Sequence, residues 1–118
     1  MNVLVADDNE EIASIIMTYL EGELKVVGAS DAVTALDLIE SSKPQVIVAD
    51  LNIPPLEGLE FIERINLIKE DWQYLIVLTG SAIGEASLEM LGVDSLYLKP
   101  CSMKNLTDLI KSKCANFQ

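Results

Sequence analysis

Gln45-Val46-Ile47-Val48-Ala49-Asp50-Leu51-Asn52-Ile53-Pro54-Pro55-Leu56-Glu57-Gly58 is the stretch that decides the fold. Val46-Ile47-Val48-Ala49 is apolar at every position, with no alternation. Such a run reads as a strand covered on both faces, and strands of that kind belong to parallel sheets. The run ends on a carboxylate, Asp50, followed by turn formers at Asn52, Pro54 and Gly58. Outward from this point further strand candidates lie at Val3-Leu4-Val5-Ala6, Leu24-Lys25-Val26-Val27, Leu75-Ile76-Val77-Leu78 and Leu96-Tyr97-Leu98, and four of the five runs are continuously apolar.

Segments of helical period lie between the runs. Ile12, Ile15, Ile16, Tyr19 and Leu20 step by three and four behind Asp8-Asn9-Glu10-Glu11, a start that suits a helix N-terminus. Ala32, Ala35, Leu36 and Ile39 repeat the pattern, with Ser30 or Asp31 as the cap and Pro44 closing the connection. Leu59, Ile62, Ile65 and Ile68 form a third stripe, and Leu106, Leu109 and Ile110 a last one that ends near Lys111 and Lys113. All of these stripes read as core. A fourth helix is short, because only Glu85–Leu91 lies between Gly84 and Gly92. Alternating strands and helices imply parallel strands with right-handed crossovers. Five of each in 118 residues fit an open three-layer α/β/α sandwich and are too few for an eight-fold barrel.

Composition bounds the function. The chain has one domain's length and is 50% hydrophobic, enough for a real core. Eight Lys+Arg against nineteen Asp+Glu leave a net charge of −11, which repels phosphate backbones and anionic membranes. The lack of histidine removes His-based acid/base catalysis and the common His-containing zinc sites. No apolar run exceeds Tyr74–Leu78, far short of a membrane span, and no basic leader precedes the first run. Cys101 and Cys114 fall in no CxxC pair and read as inert thiols of a reducing compartment. A small cytoplasmic domain is expected.

The strand ends carry the chemistry. The first run ends in Asp7-Asp8, the third in Asp50, the fourth in Thr79 and the fifth in Lys99-Pro100. Open parallel sheets bind ligands outside the carboxyl ends of their strands. Three carboxylates converging there repel by roughly 3 kcal/mol per pair at about 5 Å and an effective dielectric near 20. Such a cluster calls for a hard cation such as Mg²⁺. A carboxylate free to attack, with a lysine and a threonine for equatorial oxygens, makes a phosphoryl-transfer constellation.

These pieces together resemble the receiver domains of two-component response regulators, and the resemblance runs from Val3 to the last helix. It rests on Asp7-Asp8, on Asp50 to Gly58, on Thr79-Gly80 and on Tyr97-Leu98-Lys99-Pro100, each at a strand end and in order. It implies the flavodoxin-like strand order 2-1-3-4-5, for which a member of this family is a standard illustration. It implies Asp50 as the phosphoacceptor, served by a histidine kinase or histidine phosphotransfer protein. Mg²⁺ would be held by Asp7, Asp8, Asp50 and the backbone carbonyl of Asn52. Lys99, through a cis Lys99-Pro100 bond, and Thr79 would contact phosphoryl oxygens, and Tyr97 would be the switch aromatic. Output would pass to a downstream protein or an attached output domain, with homodimerisation left open. The stretch from 1 to 118 is expected to be the receiver, with no output domain within it.

Taken singly, each residue has a plainer reading. Asp7 and Asp8 can cap the first helix, Asp50 can be a loop carboxylate, Thr79 a strand-end residue, Lys99 a solvated cation and Tyr97 packing. Their convergence favours the site. Two other functions share parts of the pattern. An Asp-nucleophile phosphohydrolase of the haloacid-dehalogenase type needs a second aspartate where this chain has Asn52. A receiver-like module that is never phosphorylated needs no complete set of site residues. Flavin binding is excluded, because Asp7-Asp8-Asn9-Glu10-Glu11 would repel its phosphate.

Overall fold

The computed structural model describes residues 2–51, 53–56, 59–80, 92–99 and 102–115. In chain order these form β1 (Val3–Ala6), α1 (Glu10–Leu20), β2 (Val26–Ala29), α2 (Ala32–Ser42), β3 (Val46–Asp50), α3 (Glu60–Ile68), β4 (Tyr74–Thr79), β5 (Ser95–Leu98) and α4 (Met103–Ala115). The expected short helix at Glu85–Leu91, the carbonyl of Asn52 and the Lys99-Pro100 bond lie outside the described residues.

The strands form one parallel sheet in the order β2-β1-β3-β4-β5, as expected. The three central strands are buried almost throughout and the two edge strands only partly. Period-two alternation divides their side chains between two cores. Leu4, Ala6, Ile47, Ala49, Leu75 and Val77 meet α2 and α3, whereas Val3, Val5, Val46, Val48, Ile76 and Leu78 meet α1 and α4. Phe61, Ile62 and Ile65 of α3 are wholly buried, each contributing roughly 1.5–3 kcal/mol of transfer free energy.

The caps are supplied by side chains. Asn9 accepts a hydrogen bond from the Glu11 amide at the start of α1, so Asn9, and neither aspartate before it, caps that helix. Asp31, one of the two expected candidates, accepts from the Thr34 amide at 2.8 Å and caps α2.

Two expectations are corrected. The second strand starts at Val26 and runs through Gly28-Ala29, two residues later than its apolar run suggests. Leu24 instead packs from the preceding turn onto the α1/α4 core. In α1 only Ile16 and Leu20 of the apolar stripe are buried and Ile12 is half-buried; Ile15 and Tyr19 are exposed. Five apolar positions span a wider arc than the helix presents to the sheet.

Candidate functional site

The carboxyl ends of four strands meet at one edge of the sheet. Asp50 is the last residue of β3 and continues the face of Val46 and Val48, so the α1/α4 side of the sheet passes from valines to a carboxylate at its rim. Asp7 follows β1, and its amide donates to the Ala29 carbonyl at 3.0 Å, extending the β1–β2 ladder by one bond. Thr79 closes β4, and the Lys99 amide donates to its carbonyl at 2.8 Å, which carries the β4–β5 ladder to Lys99.

The side chains of Asp7, Asp50 and Lys99 converge. Lys99 Nζ lies 3.1 Å from Asp7 Oδ2 and 3.6 Å from Asp50 Oδ2. The other oxygen of Asp7, Oδ1, accepts from the Asn9 amide at 2.9 Å. One carboxylate therefore both fixes the entry to α1 and anchors the lysine. Asp8 is exposed, and one oxygen from each of Asp7, Asp8 and Asp50 lies within 4.8 Å of the others. Asp7 is 2% exposed and Asp50 9%. Burial, above all, and then the charge of Asp7 push the Asp50 carboxyl above the ordinary aspartate range; Lys99 opposes the shift and Asp8 adds to it.

The donor set suits a hard divalent cation. It consists of oxygens alone, and three carboxylates against one ammonium leave an excess of two negative charges. Asp7, Asp8 and Asp50 are the residues that could hold such an ion.

Thr79 is buried, 1% exposed, beside the main chain of Lys99. Tyr97 is half-buried and packs onto the α1/α4 core, on the side of the sheet that Asp50 continues. Sequence reasoning missed two supports of the site. One is the Asn9 amide on Asp7, for which the Asp-x-Asn spacing is a usable signal. The other is the Ala32 amide donating to the Pro54 carbonyl at 2.8 Å, which ties the start of α2 to the turn after Asp50 and has no sequence signature.

Fold and cleft define a class: a flavodoxin-like α/β domain with an acidic cleft, bridged by a lysine, at the carboxyl ends of its strands. The chain belongs to the response regulator receiver domain family, which matches residues 3–111. A protein-glutamate methylesterase/protein-glutamine glutaminase of Methanospirillum hungatei is 34% identical across 98% of this chain, which spans only 36% of that relative's length. Among solved structures, a CheY-like response regulator receiver domain protein of the same organism is 28% identical, with a TM-score of 0.83 over 98% of this chain and 94% of that one. A response regulator protein of Burkholderia pseudomallei, solved with a phosphorylated aspartic acid, a calcium ion and citrate, is also 28% identical, with a TM-score of 0.79 over 99% of this chain and 70% of that one.

Proposed function

We propose that this receiver is a phosphorylatable switch of a two-component phosphorelay, acting in the cytoplasm, with Asp50 as its phosphoacceptor. The observation that carries the reading is the placement of Asp50: a nearly buried carboxylate at a strand end, 3.6 Å from Lys99 and within 4.8 Å of its acidic neighbours. A carboxylate oxygen of Asp50 attacks the phosphorus of a phosphohistidine on a kinase or phosphotransfer protein. The O–P bond forms as the P–N bond breaks, and the departing imidazole takes up a proton. Lys99 holds one phosphoryl oxygen by a charge-assisted hydrogen bond, and the Thr79 hydroxyl holds another.

Asp7, Asp8 and Asp50, with the Asn52 carbonyl, would hold Mg²⁺, which when bound supplies charge compensation for the phosphoryl oxygens. The Burkholderia relative, with its phosphorylated aspartate and calcium ion, supports the same reading for this chain. Tyr97 relays the change to a downstream protein or an attached output domain. The chain works as a phosphoacceptor, not as a metabolic enzyme, and its net charge of −11 disfavours direct nucleic-acid or anionic-membrane contact. Among the described residues no helix is long and apolar enough to cross a membrane.

The test is incubation with phosphoramidate or a phosphorylated kinase, with and without Mg²⁺. One Mg²⁺-dependent phosphoryl group at Asp50, labile to hydroxylamine as an acyl phosphate must be, is the expected result. Label that persists in Asp50→Asn, or that maps to Thr79 or a serine, overturns the assignment.

A further inference from the structure

The sheet has an outer edge that the site leaves unused. Among the described residues β2 pairs only with β1. The Lys25 carbonyl accepts from the Val3 amide at 3.1 Å and the Ala29 carbonyl from the Asp7 amide at 3.0 Å. Alternate residues of a parallel strand bond to the same neighbour, so 25, 27 and 29 serve β1 and the main-chain groups of Val26 and Gly28 face outward. Val26-Val27-Gly28-Ala29 contains neither a proline nor a charge, the devices that commonly block such an edge.

A furrow of about 480 Å³ runs along this edge on the α1 side, lined by Met17, Thr18, Glu21, Leu24 and Val26. A smaller continuation of about 280 Å³ shares Ser14 and Met17 with it and passes Gly28 to reach Glu10 and Asp7. The missing side chain at Gly28 lets α1 close in: a β-carbon there would stand 3.3 Å from Ala13 Cβ. The charge of the furrow is one-sided. From Asp7 to Leu24 the chain has six carboxylates and no lysine or arginine. Lys99 answers Asp7 and Lys111 answers Glu23, whereas Glu10 at the upper end and Glu21 at the lower form no ion pair among the described residues. Glu10 opens α1 and Glu21 directly follows its last residue, a separation of about 16 Å at 1.5 Å per residue. An extended chain covers most of that in four steps of about 3.3 Å.

We propose that the open edge of β2 and the furrow above it form a docking groove for an extended segment of a partner protein that carries basic, apolar and basic side chains at alternate positions. The segment adds to the sheet beside β2, taking its main-chain hydrogen bonds from Val26 and Gly28. Its apolar side chain lies on Met17 and Val26, and its basic ones meet Glu21 and Glu10. A second copy of this chain is the poorer occupant, since it would bring the same carboxylates to the same edge.

The experiment is an amide NMR titration of the full chain with the synthetic peptide acetyl-Thr-Arg-Thr-Val-Thr-Lys-Thr-amide. Expected are shifts centred on Met17, Val26 and Gly28, at least tenfold slower hydrogen exchange at the amides of Val26 and Gly28, and at least tenfold weaker binding to Met17→Lys. Glu21→Lys, at an exposed position, is a second variant expected to weaken binding should Met17→Lys lose its folded spectrum. The same peptide N-methylated at alternate residues, in either phase, keeps its charge but cannot pair as a strand, and is expected not to bind. The proposal fails if millimolar peptide leaves these amides unmoved, or if the N-methylated peptides bind equally well, which would mean a non-strand occupant. It also fails if the shifts appear with protein concentration alone and sedimentation shows a dimer.

Discussion

Lys99 and Asp7 stand 92 positions apart in the chain, yet Lys99 Nζ lies 3.1 Å from Asp7 Oδ2 and the Asp7 side chain is only 1% exposed. The same ammonium faces Asp50. Lys99 is thus the internal counter-ion of the acidic cleft when no divalent cation is bound.

Removing that counter-ion leaves two buried carboxylates without compensation. Lys99→Met is expected to lose about 3 kcal/mol of stability in metal-free buffer, the scale for breaking a buried pair from one side. Millimolar Mg²⁺ is expected to narrow the gap to wild type, because the ion takes over the compensation. Urea unfolding with and without chelator measures both. Equal stability of the two proteins in chelator would show that the lysine carries no compensating role.

The raised carboxyl of Asp50 gives a pH dependence of definite sign. Its folded value lies above the ordinary 3.8, so the folded state binds more protons than the unfolded one between those two values. Stability therefore falls as pH rises through that window, and the penalty is fully present above it. Asp50→Asn lacks the ionising group and is expected to be more stable than wild type at neutral pH. The advantage should shrink as pH approaches 3.8. Paired denaturation curves from pH 7 down to the acid limit of the fold check this, and a gap that widens toward acid would refute it.

Divalent binding should register directly. Mg²⁺ at about ten times its dissociation constant is expected to add about 1.4 kcal/mol, since ligand bound only to the native state stabilises by RT ln(1 + [L]/Kd). Asp8→Asn is expected to weaken this response with little effect on metal-free stability, because Asp8 is exposed. A melting temperature indifferent to millimolar Mg²⁺ would remove the cation from the proposed function.

Much of this site was legible because it sits where a simple pattern breaks. Val46–Ala49 is uniformly apolar, so the carboxylate at Asp50 marks a strand end, and Asp7, Thr79 and Lys99 mark theirs in the same way. That Lys99 touches Asp7 requires the strand order, which local patterning does not encode; the order came from the resemblance and was then observed. β2 was displaced because Gly28 has poor strand propensity, and its place beside Ala13 is a tertiary fact. Ile15 and Tyr19 read as core because a hydrophobic stripe does not reveal where the helix's buried arc stops. Gln73 escaped notice altogether. It is buried, takes the Glu70 amide on its carbonyl oxygen and donates to the Pro44 carbonyl, a brace visible only in three dimensions.

The output step is the most exposed part of the proposed function. A phosphoryl group on Asp50 adds close to two negative charges. On the proposed function Lys99 and a divalent cation would offset them, and the distinguishing new contact would be to the Thr79 hydroxyl. Thr79 is buried on β4, directly paired in register with Leu98, next to Tyr97 on β5. On the proposed function, movement of Thr79 would be passed to β5, where Tyr97 packs on the core shared with α4. A conformational gap of only a few kcal/mol suffices for such a switch. Amide hydrogen exchange with and without a beryllofluoride mimic is expected to change at residues 92–99 and along α4. Thr79→Ala is expected to abolish those changes while Asp50 remains modifiable. Changes confined to α1 and α2 would show that the signal leaves at the β2 end of the sheet, away from β5.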